Sequence, residues 1–176
     1  MTSTGSPWSR KVAVDDIPPT GGHFELAADE PIRAELAKTA GLRALPRLEA
    51  TFQVNRHGGD GLHVAGDVSA TIEQNCVVTL EPMESELRES VDLVFLPPAA
   101  AGEAKETTLR LDEREPPDIL SDGAVDLGAV ATEFLLLGID PYPRKPGATF
   151  ESASAGDPAA RPFAALSALK TARGGS

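Results

Sequence analysis

The chain has 176 residues, of which 41% are hydrophobic, with 16 glycines, 15 prolines and a single cysteine. This length predicts one domain plus a tail; the many breakers argue against a long-helix bundle or coiled coil, and the lone cysteine excludes an internal disulfide or a multi-cysteine zinc site. With 27 acidic against 16 basic side chains the net charge is -11, which counts against duplex DNA and membrane surfaces, where clustered lysines and arginines are needed.

In chain order, Trp8–Val14 reads as a short strand, broken by Pro18, Pro19, Gly21 and Gly22, and His23–Ala27 as a second. Asp29 stands where a helix N-cap would, Pro31 falls in the first turn, and Ile32, Leu36 and Ala40 follow at helical spacing up to Gly41, predicting a helix over 30–40. Leu48, Ala50, Phe52 and Val54 alternate with polar residues, as do Leu62, Val64, Val68, Ala70 and Ile72. The Gly-rich turn His57–Gly61 joins the two runs into a long antiparallel hairpin. Cys76–Leu80 is a turn or a single helical turn, and Glu84–Leu96 a third long strand ended by Pro97 and Pro98. Residues 99–123 read as an acidic loop with a short edge strand at Leu109 and Leu111. Val125–Gly138 carries a broad apolar stripe at helical spacing, with Asp126 at the positive end of the helix dipole.

These elements sum to an α+β domain over 1–150: an antiparallel sheet with a long central hairpin packed against two or three helices. Residues 151–176 read as a flexible linker and a short C-terminal helix around Phe163, Leu166 and Leu169. The N-terminus lacks the apolar run of a signal peptide. The longest strongly apolar run, Phe134–Ile139, is far short of a bilayer span. The expectation is a cytoplasmic protein.

The charge is concentrated. Residues 61–98 hold seven acids against Arg88 alone, and 99–140 hold ten acids against three bases, whereas 141–176 hold five bases and two acids. Either the acidic middle is a solvated surface, or it is a face that meets a basic protein.

Reactive groups do not converge in the sequence. His57 and His63 flank the hairpin turn, but no third zinc ligand accompanies them, and His23 stands apart. Cys76 sits between Asn75 and Val77 in an acidic region, which predicts a buried structural thiol with a raised pKa. Gly58-Gly59-Asp60-Gly61 is acidic and would repel phosphate, and carboxylate pairs such as Glu84/Glu86 and Asp112/Glu113 arise by chance in so acidic a chain. The expectation is a non-enzymatic protein with no metal or cofactor. The most unusual string is Ile139-Asp140-Pro141-Tyr142-Pro143-Arg144-Lys145-Pro146. Its prolines stiffen it toward an extended form, and Pro141, Tyr142, Pro143, Arg144 and Lys145 are the candidate binding residues. A stiff exposed segment loses little entropy on docking; Tyr142 would stack on RNA bases while Arg144 and Lys145 pair with phosphates. The alternative is a rigid connector, with Tyr142 packed on the sheet.

Two strings together carry a family resemblance: Cys76-Val-Val-Thr-Leu-Glu-Pro82 leading into the strand that ends at Phe95-Leu-Pro97, and Val125-Asp-Leu-Gly-Ala with Glu133 running into Asp140-Pro-Tyr-Pro-Arg-Lys-Pro-Gly147. In order and spacing, over about residues 8–171, the chain resembles the YceD family, the large ribosomal RNA subunit accumulation proteins, in its alphaproteobacterial-like form. The resemblance implies a non-enzymatic ribosome-biogenesis factor that supports accumulation or processing of large-subunit (23S) ribosomal RNA. Its partner would be a precursor of that RNA or, on the alternative adapter reading, a basic ribosomal protein held by the acidic middle. It also implies Cys76, Leu80 and Pro82 as family-motif residues beside Pro141, Tyr142, Pro143 and Arg144. Many members carry a second cysteine three residues after the first; here that place is Thr79, so paired-cysteine chemistry is unavailable.

Overall fold

The computed structural model describes residues 7–98, 118–120 and 122–150. Period-two alternation sets the centre of the fold. Strands β3 (Ala44–His57) and β4 (Gly61–Asn75) form the expected hairpin, and β5 (Pro82–Leu96) pairs antiparallel with β4 along nearly its whole length. Leu48, Ala50, Phe52 and Val54 of β3, Leu62, Val64, Val68 and Ala70 of β4, and Leu87, Val91 and Phe95 of β5 point to one buried face. Burial of each large side chain of this kind is worth roughly 1.5–3 kcal/mol. Gly66 stands opposite Phe52, and any Cβ there would run into the Thr51 carbonyl and the Phe52 backbone.

A shorter strand, β2 (Gly22–Ala27), extends the sheet on the β3 side. Helix α1 (Glu30–Ala40) has the predicted bounds: the Asp29 carboxylate accepts the Ile32 N–H at 3.0 Å, and Gly41 closes the helix at φ 68°. Its Leu36 and Ala37 are buried in the same core as the sheet's inner face. β3 changes register between Ala44 and Arg47, where Pro46 has no N–H to donate. That slip lets both Leu45 and Leu48, three residues apart, be buried.

Three expectations are corrected. The first strand is β1 (Lys11–Ala13) only, because Val14–Asp16 winds into one 3-10 turn. Val125 does not begin a helix. It lies in a strand, labelled β7 (Ala124–Asp126) because β6 (Asp118–Ile119) precedes it, and it pairs with Val12 in a separate two-stranded sheet. Helix α2 (Leu127–Gly138) follows at once. The main sheet, in order β2-β3-β4-β5-β6, is mixed rather than antiparallel, since Phe95 and Leu96 pair parallel with Asp118 and Ile119. A parallel pair needs a long crossover, and the chain between β5 and β6 has the length for one.

Both described helices face the core on one side of the sheet. None is long and apolar enough to cross a membrane. By its contacts the chain divides into two units, residues 1–145 and 146–176. The edge strand expected at Leu109 and Leu111 and the linker and helix expected over 151–176 lie outside the described residues.

Asp126 locks α2 to the N-terminal segment. Its carboxylate accepts from the Gly128 and Ala129 N–H groups at 3.1 and 3.3 Å and from the Arg10 N–H at 2.7 Å, and the Ser9 hydroxyl donates to its second oxygen. Partial burial works to raise its pKa, but the Ser9 hydroxyl and the three N–H donors outweigh it, so the pKa lies below the ordinary value. Asp126→Ala is expected to cost about 1–2 kcal/mol at neutral pH. A group with a depressed folded pKa stabilises above its unfolded pKa and loses that contribution as pH falls through the folded value. The gap between wild type and variant in urea unfolding therefore narrows as the buffer is taken below about pH 4.

Candidate functional site: the Cys76 loop and its proline-rich strap

Between β4 and β5 the chain makes a tight loop. The Cys76 N–H donates to the Glu81 carbonyl and the Leu80 N–H to the Cys76 carbonyl, both at 2.9 Å. This closure forces Leu80 to φ 60°, a left-handed conformation that costs a non-glycine residue about 1 kcal/mol or more. Leu80 is also 75% exposed, and Val77 beside it is exposed. A strained apolar side chain is thus turned toward solvent.

The proline-rich string leaves α2 and passes along this loop. The Gln74 amide donates to the Asp140 carbonyl at 3.0 Å, the Val77 N–H to the Pro143 carbonyl at 2.9 Å, and the Lys145 N–H to Cys76 Sγ at 3.4 Å. The Lys145 ammonium pairs with the Glu81 carboxylate at 2.8 Å and holds that carboxyl's pKa below the usual range. Two segments more than sixty residues apart are therefore stitched together by side chain and backbone alike.

Of the two sequence readings of the string, each holds for different residues. Pro143 is buried and pins the segment as a connector would. Tyr142 is not packed on the sheet: it is 71% exposed, and Pro141 and Arg144 are exposed with it. Nor is the string extended throughout. It bends at Pro141–Tyr142, where the Tyr142 N–H donates to Asp140 Oδ1 at 2.8 Å. The five candidate binding residues thus divide: Pro141, Tyr142 and Arg144 are outward, Pro143 is the anchor, and Lys145 is half-buried in an ion pair. Of the family-motif residues, Leu80 and Pro82 are exposed and Cys76 is the hub.

The thiol expectation is half corrected. Cys76 is fully buried, as expected for a structural residue. Its pKa, however, is pushed down to about 6 rather than up. The Thr79 hydroxyl donates to Sγ, the Lys145 and Thr79 N–H groups point at it, and together they outweigh burial. Hydrogen-bond donors of the loop and of the strap decide the matter, and the acidic residues nearby in sequence do not. Thr79 is thus itself a donor to this sulfur. No histidine bonds to this sulfur among the described residues. The histidines lie apart: His63 pairs with Asp92 at 2.6 Å and His23 with Glu25 at 3.3 Å, and no described group of His, Cys, Asp and Glu has the makings of a metal site.

Sequence reasoning missed the positive φ of Leu80. Leucine has no preference for that conformation; the only sign was an apolar residue set in a turn just before Pro82.

Because the folded thiol titrates below its unfolded value, its contribution to stability grows as pH rises from about 6 toward the ordinary thiol range of about 8.5. It is lost as pH falls through about 6. Thiolate absorbance in the ultraviolet is expected to titrate near pH 6 in the folded protein and near 8.5 in urea. Thr79→Val is expected to move the folded midpoint upward.

No curated protein and no solved structure matches the chain. A family model does: that of the large ribosomal RNA subunit accumulation protein YceD, over residues 64–170. The match takes in both the Cys76 loop and the strap, and it begins within β4, so that β1, β2, α1 and β3 lie before it. It covers more than half of the sequence, and the chain therefore belongs to the YceD family.

Proposed function

We propose that this protein supports the accumulation of large-subunit ribosomal RNA as a cytoplasmic, non-enzymatic factor, and that the joined Cys76 loop and Pro141–Lys145 strap are its recognition face. The family description names that RNA. The observation that carries the reading is the docking of the two motif strings on one another, with Val77, Leu80 and Tyr142 left exposed. Outward apolar and aromatic groups on a rigid support are the composition of a contact surface.

A second reading is favoured by the other side of the sheet. The face away from the helices presents Glu25, Glu49, Asp67, Glu73, Glu84, Glu86 and Asp92 against Arg47 and Arg88. Glu73 and Glu84 stand directly opposite one another in register, an arrangement that costs stability unless a cation lies between. On this reading the face holds a basic ribosomal protein, and the association weakens steeply with salt because exposed charges are screened within about 8 Å at physiological ionic strength.

In cells lacking the endogenous protein, Tyr142→Ala/Arg144→Glu is expected to restore less large-subunit RNA, relative to small-subunit RNA, than wild type does. Its melting temperature should stay within about 2 °C of wild type, since both side chains are exposed. Full restoration by this variant would place recognition elsewhere on the molecule.

A further inference from the structure

Before the region matched by the family model, a groove of about 480 Å³ runs between α1 and the first residues of β3. Its floor is apolar: Leu42 and Leu45 are buried there, and Pro46, at the register slip, forms part of the wall. Its rim carries Arg33, Lys38 and Arg43 against the single acid Glu30.

Among the described residues, the rim bases differ from the paired bases. Arg47 pairs with Glu49 and Glu86, and Lys145 with Glu81. By contrast, Arg33 donates to the carbonyls of Ala28 and Leu45, at 2.6 and 3.1 Å. Arg43 donates to the neutral Asn75 amide oxygen at 3.2 Å. None of the three has a carboxylate within ion-pair distance among the described residues. In a chain of net charge -11, such a cluster is the local inverse of the surrounding field. The carbonyl and amide acceptors orient the two guanidinium groups without cancelling their charge. The Arg43 bond also reaches the residue before Cys76, so the groove adjoins the face described above.

Spacing identifies the kind of anion. Arg33 and Lys38 lie five residues apart on α1, about 7.5 Å along the axis. One carboxylate cannot serve both, whereas a polyanion with regularly spaced charges can. The cavity is too small for a duplex, whereas the backbone of a single strand can follow its basic rim, phosphates outward and sugars over the apolar floor. We propose that this groove binds a single-stranded RNA segment through Arg33, Lys38 and Arg43. The inference rests on the reading that the protein serves large-subunit RNA, and adds to it where the chain touches RNA.

The test is fluorescence anisotropy on the full chain at low salt, with a labelled single-stranded RNA oligonucleotide, the same sequence as duplex, and a polyaspartate peptide as competitor. Lys38→Glu/Arg43→Glu changes two exposed rim residues and spares Arg33, which ties α1 to β3. It is expected to weaken single-strand binding about tenfold or more. If both residues are phosphate contacts, the salt slope should also fall by about 1.4. Arg10→Glu/Lys11→Glu makes the same change in net charge at two exposed residues elsewhere and should leave affinity within about twofold. Equal losses in both variants, equal binding of duplex, polyaspartate competing as well as RNA, or no binding by wild type would each overturn the proposal. Binding is read in vitro and RNA accumulation in cells, so failure of the groove leaves the functional reading standing, and the reverse.

Discussion

The structure of the candidate face depends on the bond from the Val77 N–H to the Pro143 carbonyl and its neighbour from the Lys145 N–H to Cys76 Sγ. Pro143 cannot donate a backbone hydrogen bond, but its carbonyl can accept one, and its fixed φ aims that carbonyl at low entropic cost. The Cys76 loop in turn offers N–H groups that no sheet ladder uses, since β4 ends at Asn75 and β5 begins at Pro82. Each segment supplies what the other lacks. Removing either partner would leave a polar backbone group unsatisfied beside a buried sulfur, a cost of about 1–3 kcal/mol.

That docking explains why a buried thiol is kept with a low pKa. A fully buried thiol among apolar groups would be pushed up. Here the sulfur accepts from two parts of the chain at once, and the charged form is the better acceptor. Thr79 fits the same logic. A second cysteine at that place would offer a weak S–H donor, whereas threonine offers a stronger O–H. The loop's closure itself rests on the backbone bonds of Cys76 with Leu80 and Glu81, which need no second thiol.

Much of this was legible in the residues. The hairpin, the third strand and both described helices follow from alternation, caps and prolines, and α1 falls on its predicted bounds because Asp29, Pro31 and Gly41 all act locally. What was not legible is non-local. The pairing of Val12 with Val125 turns an apparent helix start into a strand, and the parallel contact of Phe95 and Leu96 with Asp118 and Ile119 leaves no trace in local pattern. The candidate residues around Pro141–Lys145 were identifiable by stiffness and composition. Their division into anchor and exposed groups was not, because it depends on a loop more than sixty residues earlier.

Charge shows the same limit at larger scale. Summed along the chain, the acidic middle is evident; folded, its Asp67, Glu73, Glu84, Glu86 and Asp92 share an outer sheet face, because alternate residues of β4 and β5 must point away from the core. The bases of residues 30–46, unremarkable in a stretch of near-zero net charge, converge because α1 folds back beside the start of β3. Sheet and helix thus sort one sequence into surfaces of opposite sign. The basic groove and the strained Leu80 loop meet at one end of the hairpin, where Arg43 reaches Asn75. The sorting needs no reactive group; it follows from which residues the hydrophobic core leaves outside.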